Sequence, residues 1–249
     1  GDGYVVARLA AKTGIKVTVC SLIDPEQLKG DAALAFADWK KAGGEVQAWP
    51  LQGDSGFDLA LDALLGTGID REVGGQFGEA IEYLNLLECP KIAIDIPSGL
   101  NADTGCVMGC TVQSSNTVTF VGRKRGMYTA DGPDHCGLIA FDDLAIPPGA
   151  AQKSDAGSGE LLSEGFLAEV MTPRLLNSHK GNFGHVLAVG GAPGMSGAVR
   201  MCGEAALRSG AGKVTLITDP AHASLVNLGR PELMVQATGD DGDMPLQPG

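Results

Sequence analysis

The sequence predicts an α/β protein built on a parallel sheet with helices on both faces. Three observations lead there. Strand-like and helix-like periodicities alternate along the first 145 residues, the order that produces parallel sheets through helical crossovers. Glycine fills 37 of the 249 positions without a collagen repeat, roughly twice the usual share of about 7%. The polar, glycine-bearing segments Gly66 to Glu72, Asp95 to Gly99 and Gly122 to Gly126 each follow a strand-like run. In open α/β sheets ligands bind outside those carboxyl ends.

Each element has its own warrant. Val5 to Ala11 reads as a helix, and Lys16 to Ile23 as a strand with Val17 and Val19 on one face. Ala32, Ala35, Phe36 and Trp39 fall at helical spacing. Gly43-Gly44 then ends that helix, and Glu45 to Leu51 is a short strand. Phe57 to Leu65 is an apolar strand running into Gly66-Thr67-Gly68. Phe77, Ala80, Ile81, Leu84 and Leu87 form the next helical stripe. Strands follow at Lys91 to Ile96, Asn116 to Val121 and Gly137 to Phe141. Residues 146–159 lose all periodicity and read as a linker. Beyond it come a strand at His185 to Val189, a glycine loop at Gly190 to Gly197, a helix at Ala198 to Arg208, and a strand at Lys213 to Thr218. One β-α-β unit has too few strands for a closed core, so this second part is expected to be marginal alone.

Composition narrows the function. The net charge is −12, and neither half has the basic excess that phosphate-backbone binding requires, which argues against nucleic acid. Arg123-Lys124-Arg125 is the local exception and reads as a solvated loop. No apolar run approaches the roughly 18–20 residues of a membrane helix. Scattered cysteines, several in apolar segments, favour buried reduced thiols and a cytoplasmic setting. Cys106, Cys110 and His135-Cys136 lack the paired spacing of a zinc ribbon. The chain starts at Gly1, inside what reads as a motif, and is expected to be a fragment.

Two segments concentrate the chemistry. In Asp95-Ile96-Pro97-Ser98-Gly99-Leu100 a strand-ending carboxylate precedes a proline-stiffened turn, with Gly99 open to a close ligand approach. Asp95 is either a ligand-facing acid or a cap for the turn. Asp103 reads as an Asx-turn residue. Asp62, inside an apolar strand, needs a cation, hydrogen-bond donors or a turn at that point. Ser98 is a plausible co-ligand for an oxygen-held cation, and Arg71 a charge partner for a phosphate-bearing ligand. Asp2 reads first as the N-cap of the opening helix. Gly190, Gly191, Gly194 and Gly197 either present amides to an anion at a helix N-terminus or serve packing alone. Neither His179 nor His185 earns a catalytic role.

With these segments placed, the chain resembles a known family. Gly1-Asp2-Gly3-Tyr4-Val5-Val6-Ala7-Arg8-Leu9-Ala10 resembles the end of an Asn-Asn-Gly-Gly-Asp-Gly motif, and Asp62 to Gly68 and Asp95 to Leu100 resemble two later motifs, of the NAD(P)H-hydrate epimerases. Residues 179–218, with His-Lys-Gly-x-Phe-Gly-His-Val-Leu and Gly-Met-Ser-Gly-Ala, resemble the start of the ADP-dependent NAD(P)H-hydrate dehydratases. The resemblance implies a Rossmann-like three-layer αβα sandwich with a mostly parallel sheet over residues 1–145. The truncated start of a ribokinase-like α/β domain would follow over residues 160–249.

It implies repair of hydrated nicotinamide cofactor. The first domain would interconvert (R)- and (S)-NAD(P)H hydrate, and the second, in the complete protein, would dehydrate the (S) form using ADP with magnesium. Gly1, Asp2, the loop Gly66, Thr67, Gly68, Ile69, Asp70, Arg71 and Glu72, together with Asp95, would bind the hydrate. Asp62 and Ser98 would hold potassium, Asp95 would be the general acid/base, and Ala198 would contact the hydrate in the second domain. The chain stops before the dehydratases' Gly-Ala-Gly-Asp segment, so these residues alone are expected not to dehydrate. A homo-oligomer follows by fold analogy alone. The alternatives are a protein-binding module on the epimerase fold, or a ribokinase-like kinase in the second part.

Overall fold

The computed structural model describes residues 1–51, 56–146, 159–171 and 173–239. The chain divides into two compact units, Gly1–Leu161 and Leu162–Gly249. Both are α/β, and every strand pair among the described residues is parallel. The linker expected over 146–159 lies, except for its two end residues, outside the described residues.

The first unit opens with α1 (Asp2–Lys12) and α2 (Gly30–Lys41). Tyr4 and Ala7 of α1 bury against Phe36 and Trp39 of α2, with Val17 and Val19 packed at the margin. The Tyr4 and Phe36 rings meet at 5.4 Å. The buried Trp39 indole donates to the Glu45 carbonyl at 3.1 Å, which lets an amphipathic ring sit inside without an unmet N–H. The first helix starts three residues earlier than its apolar spacing suggests, with Gly1 at the N-cap and no side-chain cap bond. The capping role expected for Asp2 is therefore wrong: its carboxylate lies inside the first turn.

The two early strands are much shorter than expected. Among the described residues β1 (Cys20–Ser21) and β2 (Gln47–Ala48) pair only with each other. With one neighbour each and with Gln47 and Ala48 exposed, little burial extends the ladder. β3 (Ala60–Asp62), β4 (Lys91–Ile94), β5 (Asn116–Phe120) and β6 (Leu138–Asp142) then form a four-stranded sheet in that order. α3 (Gly75–Leu86) connects β3 to β4, and the short α4 (Gly132–Cys136) lies between β5 and β6. The apolar run 57–65 yields only three strand residues, at the sheet's edge, with Leu59 and Leu61 exposed. Ile96 and Leu100 are fully buried in a cluster with Ala102, Met127 and Cys136. The turn between them is thereby anchored at both ends.

The second unit holds α5 (Glu164–Val170), β7 (His185–Val189), α6 (Ser196–Arg208), β8 (Lys213–Thr218), α7 (Pro220–Ala223) and β9 (Leu233–Ala237). The sheet order is β7-β8-β9, with β8 central and buried along nearly its whole length. Val199 of α6 joins Ala188, Val214, Leu216, Val226 and Leu233 in one core. At Gly203 a Cβ would lie 2.7 Å from Leu216 Cδ2, so the glycine lets the helix approach the sheet closely. β9 was not anticipated. Its run Leu233-Met234-Val235, bounded by Pro231 and Gly239, carried the signal. Of the six cysteines, all unpaired, only Cys136 is fully buried, while Cys106 and Cys202 are exposed. That corrects the expectation of generally buried thiols. Burial pushes the Cys136 thiol up to about 11.

Candidate active site

The carboxyl ends of β3, β4 and β5 bring three polar segments together. Asp62 closes β3 and is only 1% exposed. Its carboxylate accepts from the Ser98 backbone N–H at 2.7 Å, the Ser98 hydroxyl at 2.6 Å and the Leu64 N–H at 3.3 Å. The Ser98 hydroxyl in turn accepts from the Leu65 N–H at 2.8 Å and lies 3.2 Å from the Leu65 carbonyl. Asp62 and Ser98 are thus joined directly, and donors that a buried carboxylate requires come from the β4 exit. Burial raises the Asp62 carboxyl above its ordinary value, and the three hydrogen bonds pull the other way. These bonding partners are all neutral. The oxygens of Asp62, Ser98 and Leu65 form a hard, net-negative set suited to an oxygen-held cation.

Asp95 follows β4 with a left-handed backbone, φ 71°. Asp tolerates that region better than most residues, yet it still costs about 1 kcal/mol or more. The strand's hydrogen bonding continues across it, from Asp95 N–H to the Val118 carbonyl at 2.7 Å. Its Oδ1 accepts from the Thr119 hydroxyl at 3.2 Å, the Phe120 N–H at 3.1 Å and the Lys124 ammonium. Its Oδ2 has no hydrogen-bond partner among the described residues. The side chain is 24% exposed, so a ligand can reach it.

Sequence reasoning missed Lys124. In the Arg123-Lys124-Arg125 triplet both arginines are exposed, as a solvated loop would have them, but Lys124 is folded inward. Lys124 is 16% exposed and ion-paired to Asp95, Arg123 lies over the Phe141 ring at 5.1 Å, and Arg125 Nε donates to the Asp103 carbonyl at 2.7 Å. The available signal was a cation just beyond one strand end and a carboxylate just beyond its parallel neighbour.

The loop Gly66 to Glu72 is exposed apart from half-buried Ile69. Asn101 Nδ2 donates to the Ile69 carbonyl at 3.3 Å, and the Val73 N–H donates to the Met108 carbonyl at 2.8 Å. A Cβ at Gly66 or Gly68 would meet open space, and neither residue has a left-handed φ. The chain's own packing therefore does not demand glycine there. At Gly3 a Cβ would lie 2.9 Å from Ala63 Cβ, which sets the start of α1, with Gly1 and Asp2, beside the β3 exit. Gly99 has a different role from the one expected. A Cβ there would fall 1.9 Å from the Cys110 carbonyl oxygen, and the Gly99 carbonyl accepts from the Met108 N–H at 2.8 Å. The glycine admits the protein's own backbone, not a ligand. Asn101, not Asp103, makes the Asx turn, accepting from the Asp103 and Thr104 N–H groups at 3.0 and 2.9 Å.

Ala198 lies in the second unit, exposed in the first turn of α6. In the preceding loop Gly191 is needed for packing. Its φ is 82°, and a Cβ would lie 2.6 Å from Thr218 Oγ1. Its carbonyl lies 2.6 Å from His222 Nε2. Gly194 and Gly197 face open space. His179 caps a short turn through Nδ1, and His185 bonds Thr215, in keeping with structural roles. Among the described residues no group of three or more His, Cys, Asp or Glu gathers as a metal cluster, and no helix is long and apolar enough to cross a membrane.

Comparison with known proteins places the fold in a family. Residues 1–126, half of the chain, match the model of the YjeF-related protein N-terminus. The chain belongs to the YjeF-related family. Asp62, Asp95, Ser98 and Lys124 all fall within that match. Residues 186–247 of the YjeF-related chain match a second model, described as NAD(P)H-hydrate dehydratase, which begins in β7 and runs through α6 and β9. The chain is 40% identical over 238 residues to the bifunctional NAD(P)H-hydrate repair enzyme Nnr of Escherichia coli K12, covering 94% of this chain and 45% of that protein. It is 40% identical over 243 residues to the protein of that name from Coxiella burnetii, covering 97% and 50%. To the bifunctional NAD(P)H-hydrate repair enzyme of Leishmania braziliensis it is 37% identical over 244 residues, covering 95% and 44%. This YjeF-related chain spans about half the length of the curated relatives it matches.

Proposed function

We propose that the first unit binds NAD(P)H hydrate at the carboxyl ends of β3, β4 and β5 and interconverts its (R) and (S) forms. Asp95 is the general acid/base in this reading. The observation that carries it is the state of that carboxylate: one oxygen held by three donors, the other without a partner among the described residues, on a strained strand end open to a ligand. Inverting the hydroxyl-bearing carbon beside a ring nitrogen proceeds by ring opening or by loss and return of water. In the second route the carboxyl group gives a proton to the departing hydroxyl, which leaves as water while the ring nitrogen supplies electrons. Water then adds to the opposite face, and the carboxylate takes a proton back. One positioned carboxylate thus serves both directions.

The loop Gly66–Glu72 and the α1 start, Gly1 and Asp2, are assigned to holding the hydrate. The open space at Gly66 and Gly68 supports this. Asp62 and Ser98, with the Leu65 carbonyl, are assigned to potassium, which when bound supplies fixed positive charge beside the ligand. In the whole protein, the second match and the α6 loop with Ala198 support dehydration of the (S) form with ADP and magnesium.

The test follows purified (R)-hydrate by chromatography in potassium buffer. Wild type is expected to equilibrate the two forms, and Asp95→Asn to lose at least about 10²-fold in rate with its fold intact. An Asp95→Asn variant that equilibrates them at the wild-type rate overturns the assignment.

A further inference from the structure

Among the described residues Lys124 is the one cation on Asp95, and its surroundings say how it acts. Its ammonium has three acceptors: Asp95 Oδ1, Thr119 Oγ1 at 2.9 Å and the Phe120 carbonyl at 3.0 Å. An ammonium has three N–H donors, so none remains for a substrate. Thr119 closes the group, accepting from Lys124 and donating to Asp95 Oδ1 at 3.2 Å.

The backbone is bent to make this possible. The Gly122 N–H reaches back to the Phe120 carbonyl at 2.6 Å, with Val121 at φ 65° between them. That is a γ-turn of the rare, strained hand, and for a β-branched residue a genuine outlier. It reverses the chain after β5, so that Lys124 folds onto the carbonyl of Phe120 and onto Asp95. Arg123, stacked on Phe141, holds the reversal from the side. The two left-handed residues Asp95 and Val121 thus flank a single cluster.

We propose that Lys124, with Thr119, is a positioning residue: it locks Oδ1 of Asp95, so that Oδ2 alone exchanges a proton with the substrate. This rests on the epimerase reading above. It differs from a plain strand-to-strand tie in requiring the cation itself, not merely the contact.

The test measures kcat and KM for hydrate interconversion in wild type and in Lys124→Met, Lys124→Ala and Lys124→Arg, with thermal melts beside them. Lys124→Met is expected to lose about 10²-fold in kcat, the scale of a misplaced reacting group, with KM little changed. Methylammonium is expected to restore part of the Lys124→Ala rate, and to restore nothing in Asp95→Asn. The double variant Asp95→Asn/Lys124→Met should be no slower than Asp95→Asn. Wild-type kcat in Lys124→Met, or a loss confined to KM, overturns the inference while leaving the epimerase reading intact. No interconversion by folded wild type overturns both. Should Lys124→Ala fail to fold, Lys124→Met read against Lys124→Arg decides. Retention of most activity by Arg but not Met supports a charge requirement, and equal loss in both refutes it.

Discussion

Asp62 and Asp95 end adjacent parallel strands of one sheet, yet they are held in opposite ways. Asp62 is buried, both its oxygens are used, and its bonding partners are neutral groups. Asp95 is partly exposed, uses one oxygen, and carries its own cation on a left-handed backbone. The difference teaches what each carboxylate can do. A buried charge held only by dipoles has something to gain from an added cation. A charge already paired, with one oxygen spare, can work on a ligand.

The comparison breaks most sharply on rate. Asp95→Asn should slow hydrate interconversion by about 10²–10⁴-fold, against a far smaller loss in Asp62→Asn when potassium is saturating for the variant. Stability should rank the two in reverse. Asp62→Ala strands donors of Ser98 and Leu64 and is expected to cost about 2–4 kcal/mol in urea unfolding. Asp95→Ala removes one acceptor from a mostly buried Lys124, which keeps the Thr119 hydroxyl and the Phe120 carbonyl, and should cost about 1–2 kcal/mol.

A subtler contrast is the pH dependence. The folded chain holds the Asp62 proton more tightly than the unfolded chain does, because burial raises its carboxyl above the ordinary 3.8. This group's contribution to stability is therefore full below the unfolded value and is lost as pH rises through the folded one. Asp62→Asn should remove that fall from the stability profile. Potassium chloride, compared with choline chloride, should raise the melting temperature more at neutral than at acid pH, and should lose the difference in Asp62→Asn. The smallest effect is expected at Val121→Gly. Relief of the left-handed valine should stabilise the fold by about 1 kcal/mol, while looser placement of Lys124 lowers kcat a few-fold.

What was legible in sequence was where elements lie, more than how far they extend. The starts of β4, β5, β7 and β8 stand where the apolar runs begin, at Lys91, Asn116, His185 and Lys213. β1, β2 and β3 are shorter than their apolar runs because periodicity marks which residues prefer burial and does not say how far a neighbouring strand runs alongside. That Asp62 needs a partner was legible because an acid in an apolar run demands one, while Ser98 was expected beside it only as a co-ligand of a cation. Lys124 was not, since a basic triplet has the same composition whether solvated or folded back. The γ-turn at Val121 that decides between them leaves no local pattern. The role of Gly99 was misread for a related reason: a glycine in a turn does not say whose atoms approach it.

Met108 belongs to no catalytic set, yet its peptide groups touch both halves of the site. Its N–H is held by the Gly99 carbonyl in the Asp95 turn, and its carbonyl holds Val73 at the foot of the Gly66–Glu72 loop. That residue acts as a ruler between the segment proposed to grip a ligand and the segment proposed to transform it. Because its amide proton sits on one of these two bonds, its exchange with solvent should slow when either segment is occupied, making Met108 a built-in reporter of binding that requires no label and no turnover.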